Sequence, residues 1–508
     1  MFALQIGSKI ILTALLISTV LLVLSTLLII QVFPDAIRDE VYKNVKLVKG
    51  TEQYDRFVEL PFPIIFKVYF FNVENVDDVQ KGSKPILREK GPYVYKQYRR
   101  KTILDINEEE DTISYKQSER FEFDKEASGN FSEDDYVTML NAPVISMLQM
   151  AEPFHQMTGA LAHCLDDIFP NMSSNFMRVK VKDILFDGVR FCVRHLSICE
   201  VQRTLACSIA AEMKNVEKLS DDSLKFSLFG YKSKSDDGVY TVKRGIKDVH
   251  SLGQIIRLNN ATYTDYWNGL GKNTSCDKVQ GTDATLYPPG VGKDSVFQIY
   301  STDICRYVEI KYSKEMQYKG IKGYLFTADN STLRPKTPTA GKDCFCTNKT
   351  KGIDGKKSCF LDGVIDMQSC TGVDVLLSFP HFLWADEKYL KGVDGLTPNE
   401  DLHSTFLLVE PETGTPLQGL KRIQINAVLR PIPYADQTSS LPRAVFPLLW
   451  VEEGVSLTDE YIIKLKEMYF NKVAMVDIIK WTLLGTSTVL TILFASLYVH
   501  KYRSTNLK

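Results

Sequence analysis

The sequence predicts a membrane-anchored α+β protein, with one transmembrane helix at each end and a single large antiparallel β ectodomain with helical decoration between them. Three observations predict it. Apolar residues crowd into two uncharged stretches near the termini, every cysteine lies between those stretches, and much of the intervening chain has the period of two that marks strands. The 508 residues carry a net charge of −1. That balance lacks the basic excess a phosphate-binding surface needs, which argues against nucleic acid as a partner.

Residues 10–33 are uncharged and bounded by Lys9 and Asp35. At ~1.5 Å per residue they extend about 36 Å, enough for a ~30 Å hydrocarbon core. A cleavable signal peptide is the competing reading, but its apolar region is typically ~7–15 residues long, and no small-residue cleavage site follows. Residues 481–499 form the second span, bounded by Lys480 and by His500, Lys501 and Arg503. Short basic flanks orient a span. Lys501, Arg503 and Lys508 therefore place tail 500–508 in the cytoplasm, and tail 1–9 joins it. Residues 34–480 are then outside, on a protein with two passes.

Six Asn-x-Ser/Thr sequons fall in that segment, at Asn130, Asn171, Asn260, Asn273, Asn330 and Asn348. So do all ten cysteines, which in an oxidising compartment read as disulfides. Residues 34–57 show helical spacing of Ile37, Val41, Val45 and Val48 behind Pro34. Residues 66–73, 93–106 and 112–123 alternate or are β-branched and aromatic, so they read as strands. Residues 142–168 return to helix, strands resume after Lys225 and end with 423–432, and 458–480 is an amphipathic helix leading into the second span.

Cys276, Cys305, Cys344, Cys346, Cys359 and Cys370 lie within 95 residues, 276–370. Their spacing matches no common zinc module, Cys344 and Cys346 are too close to pair with each other comfortably, and 15 connectivities remain open. His155 and His163 flank one helix and read as surface or packing residues. No nucleophile elbow, metalloprotease motif or phosphate-cradling loop is present, so neither an enzyme nor a cofactor is expected. The helical insertion is rich in Met and Phe. Ordinary core packing competes there with an adaptable apolar surface, for which Met147, Met150, Phe154, Met157, Phe169 and Phe176 are the candidate ligand contacts.

Several strings carry a family resemblance: Pro61-Phe-Pro-Ile-Ile-Phe-Lys-Val-Tyr69, Arg88-Glu-Lys-Gly-Pro-Tyr-Val-Tyr95, Gln280-Gly-Thr-Asp283 and Asp303-Ile-Cys-Arg306. With the two spans they resemble the class B scavenger receptor family. Phe226-Ser-Leu-Phe-Gly230, Ser378-Phe-Pro-His-Phe-Leu383 and Trp450-Val-Glu-Glu-Gly454 are most like the insect sensory neuron membrane proteins within it. The resemblance implies an antiparallel β-barrel core with an apical helical bundle at residues 142–215, and a tunnel toward the bilayer. It implies disulfides Cys276–Cys344, Cys305–Cys370 and Cys346–Cys359, and leaves Cys164, Cys192, Cys199 and Cys207 open. It implies hydrophobic ligands such as fatty acids, sterols and pheromone-like lipids, with the bilayer, an odorant receptor complex or an odorant-binding protein as partners. An uptake or adhesion receptor for lipid-bearing particles is the alternative. Residues 166–176 hold two acids and no base where scavenger relatives carry lysines, and the tails lack relatives' palmitoylated cysteines and the acidic-dileucine signal of the lysosomal relative, which implies the plasma membrane.

Overall fold

The computed structural model describes residues 7–267, 274–335 and 344–506. The chain divides into two compact units, Leu47–Ser456 and a second built from the two terminal segments.

In the terminal unit, helix Ser8–Leu27 passes through a π turn, Leu28–Val32, into Phe33–Val45. The other end runs from Asp459–Leu465 through the π turn Lys466–Phe470 into Asn471–Asn506. Both helices are long and apolar enough to cross a membrane, and Ser8–Leu27 packs along Asn471–Asn506. Their hydroxyls turn inward on their own backbone. Thr13, Thr19 and Thr26 donate to carbonyls four residues back, and so do Thr482, Thr486 and Thr491. In hydrocarbon, where no water accepts a hydrogen bond, this is how a polar side chain is satisfied. The helix predicted over 34–57 is shorter than its periodicity suggests. It stops at Val45, and Glu52–Val58 is a separate helix capped by the Thr51 hydroxyl. Gly50, at φ +87°, makes the intervening turn that a side chain would disfavour.

The ectodomain is organised by a 13-stranded antiparallel sheet. Its hydrogen-bonded path runs Ile255–Leu258, Val239–Lys243, Thr112–Phe123, Leu87–Asn107, Ile64–Val73, Ala444–Ser456, Pro416–Leu429, Phe406–Val409, Ile321–Thr327, Arg306–Tyr318 and Val296–Ser301. The predicted strand over 423–432 ends at Leu429, since Pro431 and Pro433 have no N–H for the ladder. The barrel expected from resemblance is corrected to an open sheet, because the two edge strands do not pair with each other. Irregular chain at Gly281–Thr282 reaches both edges instead. Ile255 N–H donates to the Gly281 carbonyl at 2.8 Å, while Thr282 N–H reaches the Gln298 carbonyl at 2.8 Å. Gly281 sits at φ +96°, and a Cβ there would collide with the Gln298 carbonyl.

Residues 142–215 hold four helices, Ala142–Ala151, His155–His163, Leu165–Ile168 and Glu200–Ala211. The predicted continuous helix over 142–168 is broken twice. Pro153 has no N–H to carry the ladder on and Phe154 leaves helical geometry at ψ 78°, while Cys164 leaves it again at ψ 10°. Cys164 is bonded to Cys199, and Cys192 to Cys207. The remaining bridges are Cys276–Cys344, Cys305–Cys370 and Cys346–Cys359, with Cα separations of 5.3, 5.8 and 5.3 Å. No cysteine is free among the described residues.

Candidate functional site

Strand register brings two chemically distinct clusters onto opposite faces of the central sheet. Phe66 faces Tyr95 across one ladder and Glu453 across the other. Continuing outward, Tyr95 faces Phe123 and Gln97 faces Phe121. This first face therefore carries an aromatic group. Phe66 meets Phe121 at 5.2 Å and Phe229 at 5.4 Å; Phe186 meets Tyr95 and Phe121, each at 4.9 Å. Such tilted and edge contacts suit the ring quadrupoles. Phe121, Phe123 and Phe186 keep partial exposure while Phe66 is buried. Apolar surface remains open beside the packed rings.

The same face then turns ionic. Gln97 and Arg99 both donate to Glu119, at 3.0 and 3.1 Å, and Arg99 also pairs with Glu453. Lys232 and Lys421 donate to opposite oxygens of Asp303, at 2.7 and 2.9 Å. Burial alone would push the carboxyls of Glu119 and Asp303 up. The charges of Arg99 and Lys232 and the Gln97 hydrogen bond together outweigh that for Glu119 and bring its carboxyl down, and Lys232 with Lys421 holds Asp303 well below the ordinary carboxylate range. Further along, Lys101 Nζ and the Tyr115 hydroxyl converge on Asp283 Oδ2 at 2.7 and 2.6 Å. Burial opposes ionisation of Asp283, but Lys101 and Tyr115 bring its pKa down to about 2.

The second face gathers residues from four of the strings that carried the resemblance. Glu89 Oε2 accepts from Trp450 Nε1 at 2.8 Å and contacts His381 Nε2 at 2.6 Å. His381 Nδ1 accepts the Thr397 N–H at 3.0 Å, so its proton sits on Nε2 and is donated to Glu89. His381 stacks on His403 with centroids 4.3 Å apart, and Tyr69 stacks on Trp450 at 3.9 Å. Beside them Glu452 is held by Lys67 at 2.8 Å and Arg422 at 2.7 Å. Periodicity marked the strand that carries Lys67 and Tyr69 but not Ala444–Ser456, which carries Trp450 and Glu452, because strands were expected to end with 423–432; nor did it give these pairings, which join positions hundreds of residues apart. The only signal was polar residues recurring at positions where a strand would place apolar ones.

The candidate ligand contacts separate into two groups. Phe169 is 1% exposed and stacked on Phe191 at 5.1 Å, and Phe176 packs against Phe446, so both belong to the core. Met147, Met150 and Met157 are half-buried, and Phe154 is exposed. Sequence reasoning missed a more exposed apolar feature nearby. Leu196 and Ile198 are fully exposed, and Val201, Leu205 and Ile209 continue the ridge along Glu200–Ala211 at helical spacing. The Cys164–Cys199 and Cys192–Cys207 bridges bracket it. The acids at 166–167 are not isolated, because Asp167 Oδ1 contacts His195 Nε2 at 2.6 Å. His155 lies against Tyr434 at 4.8 Å, and His163 is exposed. The described residues contain no cluster able to hold a metal ion. Asn130, Asn171, Asn260, Asn330 and Asn348 are exposed; Asn273 lies outside the described residues.

A model of the CD36 family matches residues 16–498, almost the whole chain. The chain belongs to the CD36 family. Within it, this CD36-family member is similar to sensory neuron membrane protein 2 of Anopheles gambiae, 33% identical over 92% of this chain and 90% of that one. It is 33% identical to sensory neuron membrane protein 2 of Drosophila melanogaster, over 89% of this chain and 90% of that one. With sensory neuron membrane protein 1 of Manduca sexta it again shares 33%, over 89% and 84%. The strings that meet at Glu89, His381 and Trp450, and those that supply Asp283 and Asp303, thus lie in a family-wide match and serve here as cross-links between distant strands.

Proposed function

We propose that this CD36-family protein is a cell-surface receptor for hydrophobic, lipid-like ligands, which it collects outside the cell and passes through its ectodomain. Delivery is to the bilayer or to an odorant receptor in the same membrane, with both tails cytoplasmic and residues 34–480 outside. The observation that carries this reading is the aromatic group on the first face of the sheet. Phe121, Phe123 and Phe186 keep solvent access beside a buried Phe66, which offers an alkyl chain a packed apolar wall. Each methylene taken from water is worth about 0.8 kcal/mol, so a chain of ~12 supplies roughly 10 kcal/mol. The bilayer offers the same gain, so transfer needs no energy source and runs in either direction. The bracketed ridge at Leu196, Ile198, Val201, Leu205 and Ile209 supports docking of an odorant-binding protein or receptor that presents the ligand. Half-buried Met147, Met150 and Met157 are adaptable contacts on the same insertion.

The test is photocrosslinking with a diazirine fatty acid on the full-length chain in membranes. Label is expected in peptides containing Phe121 and Phe186. Ile423 is half-buried and faces Val451, which faces Val68, two residues from Phe66 on the same strand; Phe121→Trp with Ile423→Trp is expected to lower ligand transfer while surface level and disulfides stay normal. Label confined to other parts of the ectodomain, or unchanged transfer in the double variant, would defeat the conduit. A scaffold that holds the receptor complex would then be the better account.

A further inference from the structure

Beside Asn348 lies a cleft of about 210 Å³ lined by Asp265, Tyr266, Trp267, Thr347, Lys349 and Ser369 as well as by Asn348 itself. We infer that this cleft seats an N-acetylhexosamine ring, and that the ring it holds is the first sugar of the glycan carried by Asn348. The chemistry of the lining fits a pyranose better than a lipid. Tyr266 is 40% exposed, offering a ring whose electron-rich face attracts the polarised C–H groups of a sugar. Asp265 accepts hydrogen bonds, Lys349 donates them, and the Thr347 and Ser369 hydroxyls, 3.0 Å apart, do either. A few polar groups converging around one aromatic surface is how a small polar ligand is oriented.

The attachment point is also held in place. Cys344 and Cys346 anchor this loop through bridges to Cys276 and Cys359. Thr347 N–H donates to Thr350 Oγ1 at 3.0 Å, and Lys349 N–H donates to Thr347 Oγ1 at 3.2 Å. These two bonds close a turn with Asn348 exposed in it. A sugar on a stiff turn loses little further freedom on entering a cleft at its own base, so weak contacts suffice to seat it. Thr350 is only 1% exposed once the loop is closed. The sequon is therefore read before this loop folds, and the seated ring then covers part of the loop's polar surface.

The inference rests on the extracellular placement of residues 34–480, and the experiment separates the two. The full-length chain is produced in insect cells with uniform high-mannose glycans, and occupancy is read by glycopeptide mass spectrometry. Native digestion with endoglycosidase H is then followed site by site. Asn348 is expected to be occupied and trimmed about tenfold more slowly than Asn130, Asn260 and Asn330, as for a ring seated in about nine molecules of ten. Tyr266→Ala is expected to abolish that difference with all five disulfides intact. Vacancy at every sequon would overturn the topology. Vacancy at Asn348 alone, equal trimming rates, or protection that survives Tyr266→Ala would overturn the seat. A free-sugar arm uses N,N′-diacetylchitobiose and saturation-transfer NMR. Binding to Asn348→Gln but not to the glycosylated chain supports the inference, and equal binding to both would overturn it.

Discussion

His381 and His403 stack at 4.3 Å, and each ring uses Nδ1 to accept a backbone N–H, from Thr397 and Asn399 respectively, at 3.0 Å. An imidazole protonated on both nitrogens cannot accept, so protonating His403 removes its bond from Asn399. Burial pushes His403 down from 6.5, a charge on His381 pushes it further, and its pKa falls to about 4. A histidine depressed in the folded state favours folding while neutral. Its contribution is complete above about 6.5 and is lost as pH falls toward about 4. We therefore expect the unfolding midpoint of the detergent-solubilised chain to drop between pH 7 and pH 4.5, with His403 contributing on the order of 1–3 kcal/mol. His403→Asn keeps a side-chain acceptor but does not titrate, so it should flatten that drop. A variant that loses as much stability in acid as the parent would place the sensitivity elsewhere. Glu89 adds a further loss at lower pH, because hydrogen bonds from His381 and Trp450 outweigh its burial and hold its carboxyl low. None of this was legible from sequence, where His381 is one residue of a family-like string and nothing signals that its ring meets His403.

At the scale of elements, the ridge at 196–209 is an apolar surface with little packing of its own, kept in shape by covalent bonds. Cys192 and Cys207 are 15 residues apart, and closing a loop of that length stabilises by about 3 kcal/mol in the chain-entropy account. Replacing both with serine should lower stability by roughly 2–4 kcal/mol. Hydrogen exchange should rise in residues 193–206, with the central strands unchanged. Uniform exchange throughout the ectodomain would mean that the bridge holds the whole fold and not the ridge. The helices here were partly readable. Met and Leu spacing announced helix over 142–168, but Pro153 and the bonded Cys164 divide it, and the latter break depends on a partner at Cys199. Phe169 and Phe176 looked like ligand contacts because residue type reports apolarity and not which side of a wall it faces.

Each end of the chain carries a helix long and apolar enough to cross a membrane, and the proposed two-pass topology is open to a direct check. With an epitope tag at each terminus, protease added to sealed microsomes should remove both tags and leave residues 34–480 protected and glycosylated. Protection of either tag would overturn the two-pass arrangement. Across the ectodomain, ionic cross-links tie together strands far apart in sequence. Lys67 meets Glu452, Lys101 meets Asp283, and Lys421 and Lys232 share Asp303. Buried pairs of this kind often add little net stability, yet they cost about 3–5 kcal/mol when one partner is removed, so they favour one register over its alternatives.

By itself the sequence determined two stretches long and apolar enough to cross a membrane, the disulfide-bonded segment between them, the alternating strands over 112–123 and 66–73, and the family. These are legible because each depends on local composition or on a short repeat: uncharged length for a span, a period of two for a strand, matched strings for kinship. Only the tertiary structure decided that the sheet stays open, that four cysteines bracket an exposed ridge, and that Glu89, His381 and Trp450 meet on one face. Those outcomes depend on which distant segments come together. The free energy of such a meeting is a sum over partners that no single stretch of chain contains.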